Sequence, residues 1–443
     1  MKYRKYLKYK DSGIEWIGEI PEGWEVKKIG ALFEERSEHV NDIQFPPLSV
    51  SKDGISPQLE HVAKTDNGEN RKMVCLGDFV INSRSDRKGA SGVSGYNGSV
   101  SLIYIVLKNK SKVNMSFFHH LLRSYPFQEE FFRYGKGIVS DLWTTPYDQM
   151  KSIVIPLPSV PEQTKIAFFV NSNLSRINKL ITTQQEIVLM LKEKRQAIIT
   201  HAVTKGLDPN VPMKDSGIEW IGEIPEHWKI DLIKHTSYVK GRVGWKGLTS
   251  DEYLADGYAY LVTGQDFFSK HIDWESCFQV DKVRYDNDPH IQLVEGDLLL
   301  TKDGTIGKLA VVKNLQRPAC LNSGIFLVRP TNSYLSDYLY WVLSSKVFSG
   351  YYEFTSIGST IQHLYQNTFE NFHFPIPPIS EQTKIIQYLE NRITEIDLLM
   401  KKQQRMVALL NEHKSSLVSE AVTGKIDVRS LIQEAKEPAG QTP

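Results

Sequence analysis

Apolar residues recur at heptad spacing in two long segments of this chain. The repeated positions lie seven or fourteen residues apart: Val170, Ile177, Leu191 and Ile198 in the first segment, and Leu389, Ile396, Leu410 and Leu417 in the second. This period predicts two long helices, over residues 162–202 and 381–421. At about 1.5 Å per residue, each helix is about 60 Å long. An apolar stripe of this length requires a partner.

Both predicted helices begin with the same sequence. Prolines precede EQTK at Glu162 and at Glu381, a pattern typical of a helix start. Pairing the two stripes predicts a long coiled coil, in which the polar Gln184 and Gln403 occupy equivalent seam positions and fix the register. The alternative is that each helix packs only on its own domain. The intermediate seam positions are predicted to be filled by Leu180, Ile187, Leu399 and Met406.

The two helices belong to a repeat that covers most of the chain. The thirteen residues KDSGIEWIGEIPE begin at Lys10 and return at Lys214, a displacement of 204 positions. The helix starts are displaced by 219 positions, and AVTKG at Ala202 corresponds to AVTGK at Ala421. The chain is therefore a two-fold repeat in which the segment that follows the first helix has its counterpart at the start of the chain, before the first domain. We expect the C-terminal end of the second helix to lie near residues 10–24.

The repeated segment also defines the predicted organisation. Gly206 and Gly424 are natural C-terminal stops for the two helices. The apolar residues predicted to dock each domain onto a helix end are Trp16, Ile17, Ile20, Trp24, Trp220, Ile221, Ile224 and Trp228. The predicted boundaries are a first variable domain over 1–155, a first helix over 156–206, a linker with the repeated segment over 207–228, a second variable domain over 229–374, a second helix over 375–425 and a tail over 426–443.

The two variable domains share an order of elements but little sequence. Each has a Gly-Asp turn and a short apolar strand, starting near Leu76 and Glu295, then a Gly/Ser-rich loop, another strand and an amphipathic helix. The predicted fold class is α/β (mixed α+β), with two domain copies and two long helices that form an antiparallel coiled coil. Different loops on a repeated scaffold suit a protein that reads two different targets.

Composition limits the class of protein but does not identify a partner. The 443 residues, 41% hydrophobic and 24% charged, suit a globular chain of two or more domains, without a recognisable signal peptide or membrane span. Scattered Cys75, Cys277 and Cys320 suit a reducing cytoplasm. The net charge is only +1, with six basic residues and one acidic residue over 84–112, against eight basic and twelve acidic over 240–308.

No motif for catalysis or for a cofactor is recognisable in the sequence. The GTIGKLA segment at Gly304 has the wrong spacing for a phosphate-binding loop, and no dinucleotide-binding glycine pattern follows a strand. His119 and His120 lie among apolar residues of a predicted helix, which favours partly buried histidines over metal ligands. We therefore predict a chain that is not an enzyme and that holds neither a cofactor nor a metal.

The chain resembles the specificity subunit of a type I DNA restriction and modification system. The resemblance rests on the duplicated GIEWIGEIPE segment, the duplicated EQTKI helix start and the AVTKG exit, and it covers almost all of the chain. It implies a non-catalytic, cytoplasmic subunit with two target-recognition domains, each of which reads one half of a bipartite, asymmetric site on double-stranded DNA. It also implies helices that dock two adenine methyltransferase subunits, and translocase and nuclease subunits as further partners.

The candidate DNA-binding residues are donor-rich side chains in loops of the two domains. Such side chains can address guanine edges or phosphates. In the first domain they are Asn82, Ser83, Arg84, Arg87 and Lys88. In the second domain they are Lys240, Arg242, Lys246, Thr301, Lys302, Lys308, Gln362 and His363. The candidate coiled-coil residues are Val170, Ile177, Gln184, Leu191, Leu389, Ile396, Gln403 and Leu410.

Two other functions fit the same architecture. One is a coiled-coil scaffold without a DNA role that presents two peptide-binding domains, and the other is an enzyme with a dispersed active site. The resemblance favours the DNA-reading subunit, in which the helices act as a ruler between the half-sites. Four residues added just before AVTKG would then extend the first helix by about 6 Å, which corresponds to one to two base pairs.

Overall fold

The computed structural model of the chain describes residues 3–58, 68–137, 143–242, 248, 252–355 and 363–430. The chain divides into two compact units, residues 1–185 with 405–443 and residues 186–404. Each unit contains a mixed α/β domain and parts of two long helices that pack together. The predicted fold class is confirmed.

The first unit is built on a four-stranded antiparallel sheet. Its strand order is β10-β9-β12-β4, and a three-stranded sheet of order β11-β8-β5 lies in the same domain. The strands are β1 (Tyr9–Asp11), β2 (Glu19–Pro21), β3 (Glu25–Lys28), β4 (Phe33–Glu35), β5 (His39–Val40), β6 (Leu48–Ser51), β7 (Gly54–Pro57), β8 (Arg71–Val74), β9 (Phe79–Asn82), β10 (Ser91–Val93), β11 (Gly98–Val100), β12 (Tyr104–Asn109) and β13 (Val154–Leu157). The helices are α1 (Ile29–Leu32), α2 (Met115–Leu121), α3 (Tyr125–Arg133), α4 (Tyr147–Met150) and α5 (Val160–Lys205), which continues into the second unit.

The second unit repeats the four-stranded sheet with the order β17-β25-β22-β23. Its three-stranded sheet, β21-β18-β24, differs because β18 and β24 run parallel. The strands are β14 (Met213–Asp215), β15 (Glu223–Pro225), β16 (Lys229–Leu232), β17 (Ser237–Gly241), β18 (Ala259–Val262), β19 (Phe267–Phe268), β20 (His271–Ile272), β21 (Phe278–Val280), β22 (Leu298–Thr301), β23 (Leu309–Val311), β24 (Ala319–Leu321), β25 (Ile325–Pro330) and β26 (His373–Ile376). The helices are α6 (Ile233–Thr236), α7 (Lys282–Asp286), α8 (Ser336–Leu343), α9 (Lys346–Thr355), α10 (Gln366–Glu370) and α11 (Ile379–Val422).

The Gly-Asp turn before β9 and β22 holds the central strand of each four-stranded sheet. Asp78 accepts hydrogen bonds from Arg36 Nε at 2.6 Å and from the Cys75 N–H at 2.8 Å. Asp297 accepts equivalent bonds from Arg329 Nε at 2.7 Å and from the Val294 N–H at 2.7 Å. The carboxylate therefore closes the turn and pairs with an arginine of the same domain, because a buried charge requires a partner.

The repeated segment docks each domain onto a helix end, as the sequence predicts. Ile17, Ile20 and Trp24 are buried in one cluster with Ala421 and Val422 from the end of α11. Tyr9 donates a hydrogen bond to the Gly424 carbonyl at 3.1 Å, so the end of the second helix lies against the N-terminal segment. In the second unit the corresponding cluster combines Ile221, Ile224 and Trp228 with Ala202 and Val203.

The helices pack along a seam that only partly follows the predicted positions. All predicted coiled-coil residues are buried or half-buried, with Gln184 and Gln403 half-buried. Three of the four predicted intermediate positions are wrong, because Leu180, Leu399 and Met406 are exposed and the seam uses the next residue instead. The fourth, Ile187, is half-buried. In a heptad pattern the second seam residue follows the first by either three or four residues. Both of these positions are apolar in this sequence, so the sequence does not indicate which of them faces the partner helix. The observed intermediate residues are Leu174, Ile181, Val188, Ile393, Met400 and Val407.

Polar pairs fix an antiparallel arrangement of the helices within each unit. Lys414 Nζ donates to Asn178 Oδ1 at 2.9 Å in the first unit. Arg195 Nε lies 3.0 Å from Asp397 Oδ1 in the second. The two pairs are equivalent, because 414 and 397 follow 195 and 178 by the same displacement of 219 that relates the helix starts. Equivalent positions of the repeat therefore contact each other in both units. The contact is an ion pair in the second unit and a lysine–amide hydrogen bond in the first.

Gly424→Ala is expected to destabilise the first unit by about 2 to 4 kcal/mol, because a left-handed backbone costs about 1 to 2 kcal/mol for a side-chain-bearing residue and a clash adds to it. Gly424 has φ +77°, and an added Cβ would lie 2.4 Å from Pro21 Cδ. Gly18→Ala is the matched control, because Gly18 has φ +65° with nothing within 4 Å of an added Cβ. Chemical denaturation measures both. Equal losses for the two variants would contradict tight docking at Gly424.

Candidate DNA-reading loops and helix anchors

The loop after β9 in the first domain divides into supporting and exposed residues. Asn82 is buried, and its Oδ1 accepts the Arg84 N–H at 2.9 Å. Ser83 is also buried and donates from Oγ to the Ile103 carbonyl at 2.6 Å. Both side chains shape the loop and are unavailable to DNA in this structure. Their predicted role in direct contact therefore does not fit, because Asn82 is the last residue of the inner strand β9 and Ser83 follows it, below the exposed part of the loop.

Arg84 and Arg87 are the exposed cations of this loop. Arg87 makes a long ion pair of 3.7 Å with Asp86, and its side chain is 70% exposed. Both guanidinium groups can therefore reach a ligand in solvent. Lys88 differs, because it pairs with Glu129 at the adjacent helix α3.

The structure adds a neighbour that the sequence pattern did not identify. The Ser85 N–H donates to the Trp143 carbonyl at 2.9 Å, and the Thr145 N–H donates to the Ser83 carbonyl at 2.9 Å. These bonds place the backbone of Trp143 beside the arginine loop, and its side chain, which is 39% exposed, lines a cleft with Glu129 and Arg133 of α3. More than fifty residues of sequence separate Trp143 from that loop. The sequence therefore contains no local signal that Trp143 lies next to the arginines.

A cleft of about 370 Å³ in the second domain is lined by two of the predicted residues, Thr301 and Lys308. Thr301, Asp303 and Lys308 line it, and Lys308 Nζ donates to the Gly264 carbonyl at 3.1 Å. Thr301 is buried, and it donates from Oγ1 to the Thr305 carbonyl at 2.6 Å. Its predicted contact with DNA does not fit, because the hydroxyl closes the turn that presents Lys308.

The other predicted residues of the second domain have different surroundings. Arg242 is 3% exposed and donates from Nε to the Leu321 carbonyl at 3.0 Å. Burial lowers the pKa of this guanidinium, and its predicted contact with DNA does not fit, because it supports β24 from within the domain. Lys240 lies over the Tyr238 ring, 5.8 Å from its centroid. Lys246 and Gln362 lie outside the described residues.

Lys302 and His363 belong to the edge of the same loop region. The Leu364 N–H donates to the Lys302 carbonyl at 3.0 Å, which connects the segment after residue 362 to the Thr301–Lys308 loop. His363 contacts Asp303 through Nδ1 and packs against the Tyr365 ring, with centroids 4.5 Å apart. Lys302 Nζ lies over Phe326, 5.3 Å from its centroid, so it is only partly available. The fold thus brings together two loops that are distant in sequence.

Neutral polar residues also line the second-domain cleft and were missed by the search for cations. Asn322 donates from Nδ2 to Tyr253 Oη at 2.9 Å, and Gln265 lies in the same lining. Tyr253 stacks on Phe278 with ring centroids 5.3 Å apart. Amide side chains can bond adenine edges in the major groove. The acidic balance of this region therefore does not prevent base reading, because amides can read bases without adding positive charge.

The duplicated EQTK sequence anchors each long helix to its domain. Gln163 Oε1 accepts the Asn114 N–H at 2.8 Å, and Gln382 Oε1 accepts the Leu335 N–H at 2.8 Å. Each glutamine also donates to a proline carbonyl before the helix, at 2.9 and 2.8 Å. The glutamines therefore join the helix start to the first turn of α2 or α8, which explains why the repeat keeps this residue.

The glutamates of the same sequence hold the repeated segment. Glu162 accepts a hydrogen bond from Tyr6 Oη at 2.8 Å. Glu381 accepts one from Trp228 Nε1 at 2.9 Å and contacts His227 Nε2 at 2.7 Å. The carboxylate thus ties the domain entry to the helix start in both repeats, although the donors differ.

Each unit also exposes apolar residues of its helix pair. Leu180, Met406 and Leu409 do so in the first unit, and Met190, Leu398 and Leu399 in the second. Leu180 and Met190 correspond to Leu399 and Leu409 by the displacement of 219. Exposed apolar groups at corresponding positions are typical of a protein-binding surface.

Within the described residues, no cluster of His, Cys, Asp and Glu could hold a metal ion. No helix in that part of the chain is long and apolar enough to span a bilayer. The buried thiols Cys277 and Cys320 have raised pKa values because burial disfavours the thiolate. These thiols are therefore poorly suited to act as nucleophiles.

Sequence comparison relates the whole chain to a group of known proteins. The family model described as the type I restriction modification DNA specificity domain matches residues 256–406. The putative type I restriction enzyme MjaX specificity subunit of Methanocaldococcus jannaschii is 23% identical over 94% of this chain and 96% of its own length. The MjaVIII specificity subunit of the same organism is 24% identical over 93% and 95%.

Structural comparison gives the same architecture. A chain from a structure titled "Structural basis underlying complex assembly and conformational transition of the type I R-M system" matches with a TM-score of 0.70 and 17% identity, over 92% of this chain and 99% of that chain. The HsdS subunit from Thermoanaerobacter tengcongensis matches with a TM-score of 0.52 and 17% identity, over 92% and 98%. At this identity the two structures establish a common fold.

Proposed function

The chain belongs to the specificity subunits of type I restriction-modification systems, and from this premise we propose that each of its two domains reads one half of a bipartite DNA site. The supporting observation is a repeated sheet and helix anchor that carry different loops. Arg84, Arg87 and Trp143 are proposed for the first half-site. Lys308, Asn322 and Gln265 are proposed for the second.

The chain is proposed to act as a recognition subunit with protein partners. The exposed apolar residues of the helix pair in each unit are the proposed docking surfaces for adenine methyltransferase subunits. Two corresponding surfaces suit two such subunits, and translocase and nuclease subunits are proposed as further partners in the cytoplasm. The proposed target-recognition domains are residues 1–155 and 229–374. Helices within 156–206 and 375–425 are proposed to join them.

Replacing Arg84 and Arg87 by Ala is expected to relax recognition of the first half-site only. A bidentate contact between Arg and guanine contributes about 1 to 3 kcal/mol of discrimination. The test is a map of N6-methyladenine in cells that carry the variant and its cognate methyltransferase. Lys308→Ala is the reciprocal variant, for which changes are expected at the second half-site.

The crossed design separates base reading from phosphate contact. A phosphate contact weakens binding on every DNA sequence and reduces the salt dependence of binding. If either variant reduces methylation uniformly with both half-sites unchanged, the exchanged residues contact the backbone and base reading lies elsewhere in the domain.

The purified chain is expected to neither methylate DNA, cut DNA nor hydrolyse ATP. This expectation follows from the lack of a recognisable nucleotide or cofactor motif in the sequence. The measurement is turnover by the chain alone, followed by addition of the methyltransferase partner, which is expected to restore methylation. Activity that co-purifies with this chain through successive columns would contradict the proposal.

A further inference from the structure

A cavity of about 950 Å³ lies in the first unit, between helices α2 and α3 and the two long helices. Its size is within the range of about 300 to 1,000 Å³ that is typical of ligand pockets. The DNA-reading loop contributes only Lys88 and Gly89 to its lining. The cavity is therefore largely separate from the exposed arginines proposed to read DNA.

The cavity lining carries an excess of positive charge. Four cations, Lys52, Lys88, Arg123 and Lys414, face two carboxylates, Asp53 and Glu129, which gives a formal charge of +2. Lys88 pairs with Glu129, whereas Lys414 donates to an amide oxygen of Asn178. Part of this positive charge is therefore left without a carboxylate in contact.

Arg123 is the most distinctive group of the lining. Its guanidinium contacts His119 Nε2 at 2.8 Å and donates to the Lys52 carbonyl. Within the described residues it forms no ion pair with a carboxylate. Burial lowers the pKa of Arg123, and the nearest negative influence is Asp53. A partly buried guanidinium with unused N–H groups is suited to a phosphate or carboxylate.

His119 contacts Arg123 without adding charge to the cavity. Burial, followed by the nearby Arg123 charge, lowers its pKa to about 3, so the ring is neutral at physiological pH. Its Nε2 lies 2.8 Å from Arg123 Nη1 and its Nδ1 lies 3.2 Å from the Val93 nitrogen, and the neutral ring accepts a hydrogen bond at one of these two nitrogens. The ring therefore adds no charge to the cavity, and its contact with Arg123 positions the guanidinium.

In the corresponding region of the second unit, hydrogen bonds connect the long helix α5 to the junction between α8 and α9. Gln196 of α5 donates from Nε2 to the Ser344 carbonyl at 3.1 Å. The Lys346 N–H donates to Thr200 Oγ1 at 3.1 Å. In the first unit, the residue that corresponds to Gln196 is Ser415 of α11, which lines the cavity. A shorter side chain at this position leaves the space open.

We propose that this cavity binds a small ligand of the nucleoside-phosphate class, with the phosphate at Arg123 and Lys414. Tyr125 is 63% exposed at the start of α3 and lines the same cavity, where its ring can stack on a base. Gln128, Asn411 and Ser415 supply neutral hydrogen-bonding groups for the sugar and base edge. The site goes beyond the proposed DNA function and does not depend on it.

Isothermal titration of the full chain with AMP, adenosine and inorganic phosphate tests this proposal. AMP is expected to bind at least about tenfold more tightly than adenosine or phosphate, because charge-assisted hydrogen bonds and base stacking act together. Arg123→Gln and Lys414→Gln are each expected to weaken AMP binding by about threefold to thirtyfold. Arg133→Gln is the matched control, because Arg133 pairs with Glu130 outside the cavity, and its AMP binding is expected to stay unchanged.

The possible outcomes are distinct. Failure of the wild-type chain to bind AMP at about 10 mM, far above the usual range for specific ligands, would overturn the proposal. Phosphate binding as tightly as AMP would overturn the nucleoside part. Circular dichroism checks the fold of each variant. If Arg123→Gln unfolds, Lys414→Gln still tests the site, because it removes only a half-exposed cation. If the Arg123→Gln and Lys414→Gln variants bind AMP more weakly and leave the methylation map unchanged, the result supports a ligand site that is independent of DNA reading. If they instead alter the methylated half-sites and the wild-type chain does not bind AMP, the cavity contributes to DNA reading.

Discussion

Insertion of four residues after Gln185 and four after Gln404 is expected to lengthen the spacer between the two half-sites by about two base pairs. Four helical residues add about 6 Å, at about 1.5 Å per residue, and about 3.4 Å corresponds to one base pair. The two insertion points correspond by the displacement of 219. Paired insertions preserve the Asn178–Lys414 and Arg195–Asp397 contacts, because each antiparallel pair gains one insertion.

The structure also fixes where the insertion should be made. Around the start of AVTKG, Ile199 and Val203 are buried against the second domain, and Thr200 accepts the Lys346 N–H. An insertion there would disrupt domain docking as well as helix length. The matched control is a four-residue insertion in one helix alone, which is expected to destabilise the coiled coil because only one set of polar pairs can form.

A methylation map measures the outcome. Unchanged half-site letters with a longer spacer are the expected result, since no reading loop is altered. An unchanged spacer in a stably folded double-insertion variant would show that partner subunits, rather than the helices, position the two domains.

Asp297→Ala is expected to lower the free energy of unfolding of the second domain by about 1.5 to 3 kcal/mol, the usual contribution of hydrogen bonds to a charged group, because the carboxylate is buried while the Arg329 side chain is 36% exposed and stays partly solvated. Asp297 is 0% exposed, and its two oxygens accept bonds from Arg329 at 2.7 and 2.8 Å. The substitution also leaves the Val294 N–H without its acceptor. Chemical denaturation gives the magnitude, and hydrogen exchange at β22 and β25 gives the location.

Two further variants test this interpretation. Asp78→Ala in the first domain is expected to have a similar effect at β9 and β12, because Asp78 closes the same turn and pairs with Arg36. Asp286→Ala is the exposed control, and loss of its surface ion pair with Lys282 is expected to cost at most about 1 kcal/mol. A loss at Asp297 no larger than that at Asp286 would contradict a stabilising role for the buried pair.

For the candidate DNA-reading residues, the sequence did not predict which polar side chains are exposed. Asn82, Ser83, Thr301 and Arg242, which the sequence analysis assigned to DNA-binding loops, are buried, and Asn82 and Thr301 are the last residues of strands β9 and β22. Whether a polar side chain faces solvent depends on neighbours far away in sequence, such as Ile103 for Ser83. Trp143 and Asn322 join the proposed sites for the same reason, since chain folding brings them there.

The sequence by itself determined the repeat, the two long helices and the docking of each helix end, because identity and heptad periodicity are properties of local sequence. Only the tertiary structure decided the intermediate seam positions, since apolar residues occur at both candidate positions. It also decided the pairing of Asp78 and Asp297 with arginines and the charge inside the cavity around Arg123. These features depend on which side chains meet across the fold, and residue types along the chain do not specify such meetings.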